Sequence, residues 1–249
     1  MGLAMLALFA QRQAFRAKRM ITLYHHPFCP HSRFVRLALG ELGIEPDLVE
    51  EQVWERRRDF LLLNGDGTTP VLVEASAPSV PGANVIAEFL DETRGVDFGE
   101  RRLMPADPLD RVEVRRLMNW FNVKFFNEAS NWLVTEKIYK RFMPTHRGGG
   151  APDMEAIRAA RSNVRYHLRY IGHLIGSRNW LAGDRLSFAD LAAAAHLSCI
   201  DYLGDVPWAE DETAKNWYAR LKSRPSFRPL LADRMRGMIP VEAYANLDF

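Results

Sequence analysis

WLAGDRLSFADLAAAAHL, residues 180–197, carries the sharpest local signal in the sequence. Ser187 is followed three residues later by Asp190 at the head of an apolar run, the spacing of a capping box, in which the cap residue and the third helical residue satisfy each other's free backbone N–H groups. Leu186 stands just before the cap, where a hydrophobic staple begins. The stretch is a helix-start device, with Ser187 and Asp190 as its structural pair. The run behind it places Cys199 inside a core helix.

Helical patterning extends on both sides of this motif. In IRAARSNVRYHLRYIGHLIG the residues Ile157, Ala160, Val164, Leu168, Ile171 and Ile175 recur three or four apart. VEVRRLMNWFNVKFFNEASNWLVTEKIYKRFM reads as a long helical region. Its Trp120, Phe121, Phe125, Phe126 and Trp132 are too many for one stripe, so most belong to a core or a dimer interface and one or two stay exposed. THRGGGAPD between these regions reads as a mobile loop, and GVDFGERRLMPADPLD ahead of them as a linker.

The first third has a different rhythm. ITLYH is β-prone, PFCP interrupts it, and Val35, Ala38, Leu39 and Leu42 then recur at helical spacing until Gly43. Asp47 to Glu50 reads as a second strand, followed by a charged helix through Phe60 and Leu63. TTPVLVEA is a third strand with Pro70 at its head, a place proline tolerates where its missing N–H is not needed or its bond is cis. VIAEFLDE closes the unit as a short helix. The expected organisation is an extension at 1–19, an α/β domain at 20–95, a linker at 96–108, an all-α domain at 109–236 and a tail at 237–249.

The combination resembles the glutathione S-transferase family, whose second domain carries a G-D-x-x-S-x-A-D element, then a Trp, then an R-P-S segment. Here Gly183, Asp184, Ser187, Ala189 and Asp190 are followed by Trp217 and by Arg224, Pro225 and Ser226. The first domain resembles that family's thioredoxin-like domain, with Thr69-Pro70 where the family has a cis-proline. The implied fold is an α/β thioredoxin-like N-terminal domain joined to an all-α C-terminal domain. The resemblance also implies that the Thr69 backbone faces a glutathione site and that Cys29 holds the catalytic position of the cysteine-type classes. A homodimer is implied as well.

Cys29 precedes a helix, where free N–H groups and the helix dipole favour thiolate and comparable placements lower the pKa to roughly 3.5–7.5. Ser32 at the second position of the motif rules out a dithiol cycle within it. The departure from the family lies in PGANVIAEFL, residues 81–90. Members that bind glutathione usually have an acid or Gln followed by Ser where this chain has Gly82 and Ala83. Two lost hydrogen bonds to charged groups amount to about 3–6 kcal/mol, or roughly two to four decades of affinity. Backbone N–H groups at the helix start remain and suit a carboxylate. On this reading Cys29, Thr69, Pro70, Gly82 and Ala83 are the remnant of a glutathione site, with no cofactor and no catalytic residue. The alternative is a glutathione-dependent thiol transferase in which Cys29 is the nucleophile.

HHPFCPHSRFVRLALGELG, the VWERR stretch, the Gly82 and Ala83 departure and the extended tail together are similar to transferase-like division proteins of alphaproteobacteria. That narrower resemblance implies the tubulin-like FtsZ polymer as partner, along with other division proteins, and a role in filament architecture and constriction at the division site. Trp54 beside Arg56 has the composition of an interaction hot spot if it is partly exposed; the other reading lays it flat over the domain edge. In the tail, Tyr244, Leu247 and Phe249, with Ile239 and Val241, are more apolar groups than a solvated tail needs. They pack on their own protein or dock on another.

Composition narrows the remaining classes. With 33 basic and 31 acidic residues the net charge is +2, which gives no electrostatic footprint for nucleic acid or an anionic membrane. Two cysteines far apart argue against a disulfide framework and fit a reducing, cytoplasmic setting. His25, His26, Cys29 and His31 match no standard zinc spacing, so no metal is expected. Tyr24 reads as a strand side chain. The opening segment runs from apolar to basic, the reverse of an export signal, and its apolar part is too short to span a bilayer. It reads as an extension ahead of Met20, or as a short membrane-surface helix built on Leu3, Leu6 and Phe9.

Overall fold

The computed structural model describes residues 21–75 and 77–247. The reading of residues 1–19 and of Phe249 lies outside the described residues. Strand β1 (Ile21–His25) alternates buried and half-buried positions, which points Ile21, Leu23 and His25 inward. Helix α1 (Pro30–Glu41) follows, its first-turn proline costing no hydrogen bond because that N–H lacks a helical partner anyway. β2 (Asp47–Glu50) then runs parallel to β1, with Thr22 opposite Asp47. The short helix α2 (Arg58–Leu63) leads to β3 (Val71–Glu74) and β4 (Val80–Pro81), and the sheet order is β2-β1-β3-β4. β3 is antiparallel to β1, and Leu23 pairs with Leu72. Helix α3 (Ala83–Arg94) packs Ile86, Ala87 and Leu90 beneath this mixed sheet.

The helical part begins with α4 (Pro108–Asn119), whose Asp107 cap accepts from the Leu109 N–H at 2.8 Å. Residues Trp120–Ser130 continue as a π-helix, and α5 (Asn131–Lys137) follows. Of the aromatic cluster, Phe121 and Phe125 are buried and Trp132 is exposed. The Gly-rich loop carries a 3-10 turn at Thr145–Arg147, and Gly149 and Gly150 donate to the carbonyls of Pro144 and Lys140. Then come α6 (Met154–Ile175), α7 (Phe188–Tyr202), α8 (Glu212–Lys222) and α9 (Arg228–Ala232). Every residue of α7 is buried, so it is a core helix without a solvent face, and the row Ala192 to Ala195 lets its neighbours approach closely.

Asp190 shows how the motif works. Its carboxylate accepts from the backbone N–H of Leu181 and Ser187, from Ser187 Oγ and from the Trp217 indole, at 2.8, 3.0, 2.9 and 3.0 Å. The R-P-S segment reaches the other domain: Arg224 and Ser226 both donate to Glu41 at the end of α1. At this contact a side chain on Gly40 would put its Cβ 2.9 Å from the Ser226 Cβ, too close for any residue but glycine. One contiguous apolar core runs from the sheet through α1 into the helical domain.

Two points that the sequence leaves open are decided by burial. Trp54 is only 8% exposed, because its ring lies against His26 and Tyr139, with centroids 5.8 and 5.3 Å away. Tyr244 is fully buried: its hydroxyl donates to the Leu230 carbonyl and accepts from Arg33. The tail therefore packs on its own protein at Tyr244, while Leu247 remains 38% and Ile239 92% exposed. No helix among the described residues is long and apolar enough to cross a membrane.

Candidate functional site

Where β1 ends, the chain turns through Pro27 and Phe28 and sets Cys29 at the cap position of α1, with extended φ −81° and ψ 118°. Its side chain is buried, and Sγ lies 3.6 Å from the Thr69 carbonyl oxygen. The Thr69-Pro70 peptide is cis. Burial alone pushes the Cys29 thiol up, but hydrogen bonding and charge from His31, with Ser32 and Thr69, bring it down to about 7.

His31 sits one turn into α1 and is held by the other domain: its Nε2–H donates to the Asn122 backbone carbonyl at 2.8 Å. Burial lowers the His31 pKa, yet the Cys29 thiolate and the Asn122 carbonyl outweigh it and hold it above its ordinary value. Asn122 belongs to the π-helix, and its side chain extends the chain of contacts by donating to Asn84 Oδ1 at 2.6 Å and accepting from His196 Nε2 at 3.1 Å. Ser130 Oγ lies 2.7 Å from the other nitrogen of His196.

Cys29 and His31 lie in the wall of a cleft of about 470 Å³ between the two domains, which Thr69, Gly82 and Ala83 also line. The lining is mainly apolar, with Val53, Val85, Phe126, Val134 and Tyr139 prominent, and holds no Lys, Arg, Asp or Glu. Gly82 caps α3 with φ 87°, and nothing lies within 4 Å of where its Cβ would be. The space for an acidic side chain is present; the acid is not. The N–H groups of Ala83, Asn84 and Val85 open α3, where a helix leaves its donors unpaired.

The five residues Cys29, Thr69, Pro70, Gly82 and Ala83 thus gather at one cleft or its edge. Trp54 and Arg56 border an adjoining depression that shares Val53, Thr68, Asn131 and Tyr139 with the first. Arg56 is exposed and adopts left-handed backbone, φ 51°. Leu247 carries exposed apolar surface at the tail. Among the described residues no three His, Cys, Asp or Glu side chains gather as metal ligands. His26 spends Nδ1 on the Phe28 N–H, and His31 is committed as described. Sequence reasoning missed Asn122, which acts through a main-chain carbonyl, and His31 as a partner of Cys29; the two-residue spacing at a helix start was the signal for the latter.

The thioredoxin-like sheet with its cis-proline and the helical domain with its Asp190 hub define a class, and comparison agrees. The model of the Glutathione S-transferase, N-terminal domain matches residues 23–100, and that of the Glutathione S-transferase, C-terminal domain residues 131–225. The chain belongs to the glutathione S-transferase family. Among its relatives is FtsZ-localized protein A of Caulobacter vibrioides, 47% identical over 231 residues that cover 92% of this chain and 98% of the relative. A crystal structure of a glutathione S-transferase from Sinorhizobium meliloti superposes with a TM-score of 0.91 at 56% identity, covering 92% of this chain and all of that one. The structure of FzlA from C. crescentus gives 0.84 at 47% identity with the same two coverages.

Proposed function

We propose that this protein is a glutathione S-transferase-fold binding protein that attaches to FtsZ polymers and regulates filament architecture and constriction in bacterial division. The observation that carries this reading is similarity along nearly the whole chain to a relative named for its localisation with FtsZ. It includes a cytoplasmic, division-site location, a homodimer, and contacts with other division proteins. The cleft is consistent with a role other than glutathione chemistry, since Gly82 and Ala83 supply no side chain for the peptide's charged end and no charged residue lines the cleft. Of the four candidate partner residues that lie among the described ones, Arg56 and Leu247 offer accessible surface, and Trp54 and Tyr244 support the surface from beneath. Co-sedimentation with polymerised FtsZ tests the proposal: the protein pellets with the polymer and stays soluble without it. A protein that remains in the supernatant at every FtsZ concentration removes the proposed partner.

One observation favours a second reading. A Cys29 thiol brought down to about 7 inside an apolar cleft is equipped for thiol transfer with glutathione as cofactor. Calorimetric titration with millimolar glutathione separates the two, because binding heat supports the transferase and its absence the binding protein.

A further inference from the structure

Among the described residues, nothing pairs with the outer edge of β2. This strand is hydrogen-bonded to β1 alone, and β4 at the opposite edge of the sheet is only two residues long. The Glu51 N–H donates to the His25 carbonyl at 2.8 Å, and by the alternation of a parallel ladder Asp47 and Val49 also turn their backbone to β1. The N–H and C=O groups of Leu48 and Glu50 therefore point away from the sheet, and no described residue bonds to them. Leu48 stands opposite Leu23 and shares its core-facing side, yet it is 46% exposed where Leu23 is fully buried. The core layer runs on past this edge as a groove of about 430 Å³ lined by Ile44, Pro46, Leu48, Pro225, Pro229 and Leu230. It shares no residue with the cleft at Cys29.

Charge decides what lies there. Glu45, Asp47 and Glu50 are exposed and form no ion pair among the described residues, whereas the buried Glu51 beside them is held by Arg57. Two copies of such an edge repel each other, which keeps the strand from pairing with itself. A strand with Lys or Arg opposite Asp47 and Glu50 is attracted instead. We propose that the β2 edge and its groove form a docking surface for an extended, basic segment of another protein, which joins the four-stranded sheet as a fifth strand. The segment carries two cationic residues around an apolar pair: one apolar side chain covers Leu48 and enters the groove, and the other lies beside Val49. The outward N–H and C=O groups of Leu48 and Glu50 supply affinity, and the groove with the two acids supplies selectivity. The surface is independent of FtsZ attachment: a protein that fails to pellet with FtsZ is still able to bind the segment, and the reverse.

The test uses the full chain and the peptide acetyl-TKVVKT-amide, which reads the same in both directions and so fits a parallel or an antiparallel strand. Amide hydrogen exchange followed by NMR is the deciding readout. The Leu48 and Glu50 N–H groups exchange freely in the protein alone and are slowed about tenfold or more at saturating peptide, while the Val49 N–H is slow throughout. Calorimetric titration adds the selectivity: the acidic peptide TEVVET, and TKVVKT N-methylated at both valines, bind at least about tenfold more weakly. Asp47→Lys with Glu50→Lys lowers the affinity for TKVVKT about tenfold with an unchanged melting curve, since both side chains are exposed. Leu48 and Glu50 N–H groups already protected in the protein alone, as a second copy or another part of the chain on the edge would make them, overturn the proposal. So do exchange rates unchanged by the peptide, or equal binding of its N-methylated form.

Discussion

The indole N–H of Trp217 lies 3.0 Å from Asp190 Oδ1, which joins α8 to the cap of α7 through one buried carboxylate. Asp190 serves four donors there. Asp190→Ala leaves them facing a hole, and since each buried unpaired donor costs about 1–3 kcal/mol with partial relaxation, a net loss of roughly 3–5 kcal/mol is expected. For a chain of this size that corresponds to a Tm lower by about 10 °C. Circular dichroism melts measure it, and an unchanged Tm removes Asp190 from its place as the hub.

Buried histidines make the fold sensitive to acid. Burial, with Arg36 and Arg33 nearby, lowers His25 to about 3; burial, with His25 and Arg33, lowers His26 to about 3. Burial also takes His167 down to about 4. These groups are neutral when folded and take up protons below about 6.5 when unfolded. Their contribution is whole above that pH and declines as pH falls from 6.5 toward 4, by about 1.4 kcal/mol per pH unit for each histidine. The urea midpoint at pH 5.5 is therefore expected well below that at pH 7.5. Equal midpoints contradict the buried neutral state.

Restoring the missing glutathione contacts is a direct check on the cleft. Gly82→Glu with Ala83→Ser supplies two charge-assisted hydrogen bonds, about 3–6 kcal/mol of binding, while a side chain at φ 87° lowers the stability of the fold by about 1–3 kcal/mol with or without ligand. The added bonds convert to a glutathione affinity raised by roughly two to four decades. Isothermal titration of the pair variant against the wild type reads it out, and equal affinities place the deficit elsewhere.

Trp54 and Arg56 lie two residues apart and have separable roles. Trp54→Ala removes a ring packed on His26 and Tyr139 and lowers stability by about 2–4 kcal/mol, so any loss of FtsZ pelleting follows partly from the fold. Arg56→Glu changes only an exposed side chain, and it is expected to weaken co-sedimentation with an unchanged melting curve. Normal pelleting of this variant excludes Arg56 from the contact surface.

Much of the fold was legible because it rests on local rules. The Ser187 and Asp190 spacing announces a helix start whatever surrounds it, and the alternation of ITLYH and the periodicity of Ile157 to Ile175 report a face turned inward. β4 went unread since two residues carry no period. The π-helix at Trp120–Ser130 left no trace, because its sequence differs from an α-helix only in which carbonyl each N–H reaches. Exposure stayed undecided in the sequence. The environments of Trp54 and Tyr244 are set by partners far along the chain, Tyr139 for one and Arg33 for the other. The residue types at the cleft were readable; that His31 faces Cys29 depends on a carbonyl ninety-one positions away.

Helix α1 is capped by Cys29 and ends at Glu41, and its far end is gripped by Arg224 and Ser226 while its flank lies on α7. Cut apart in the linker, the first half loses the surface that covers Phe34 and Leu37, and the second bares the alanine row of α7. The two halves are thus one folding unit rather than two joined by a tether, and in a calorimeter they melt in a single endotherm.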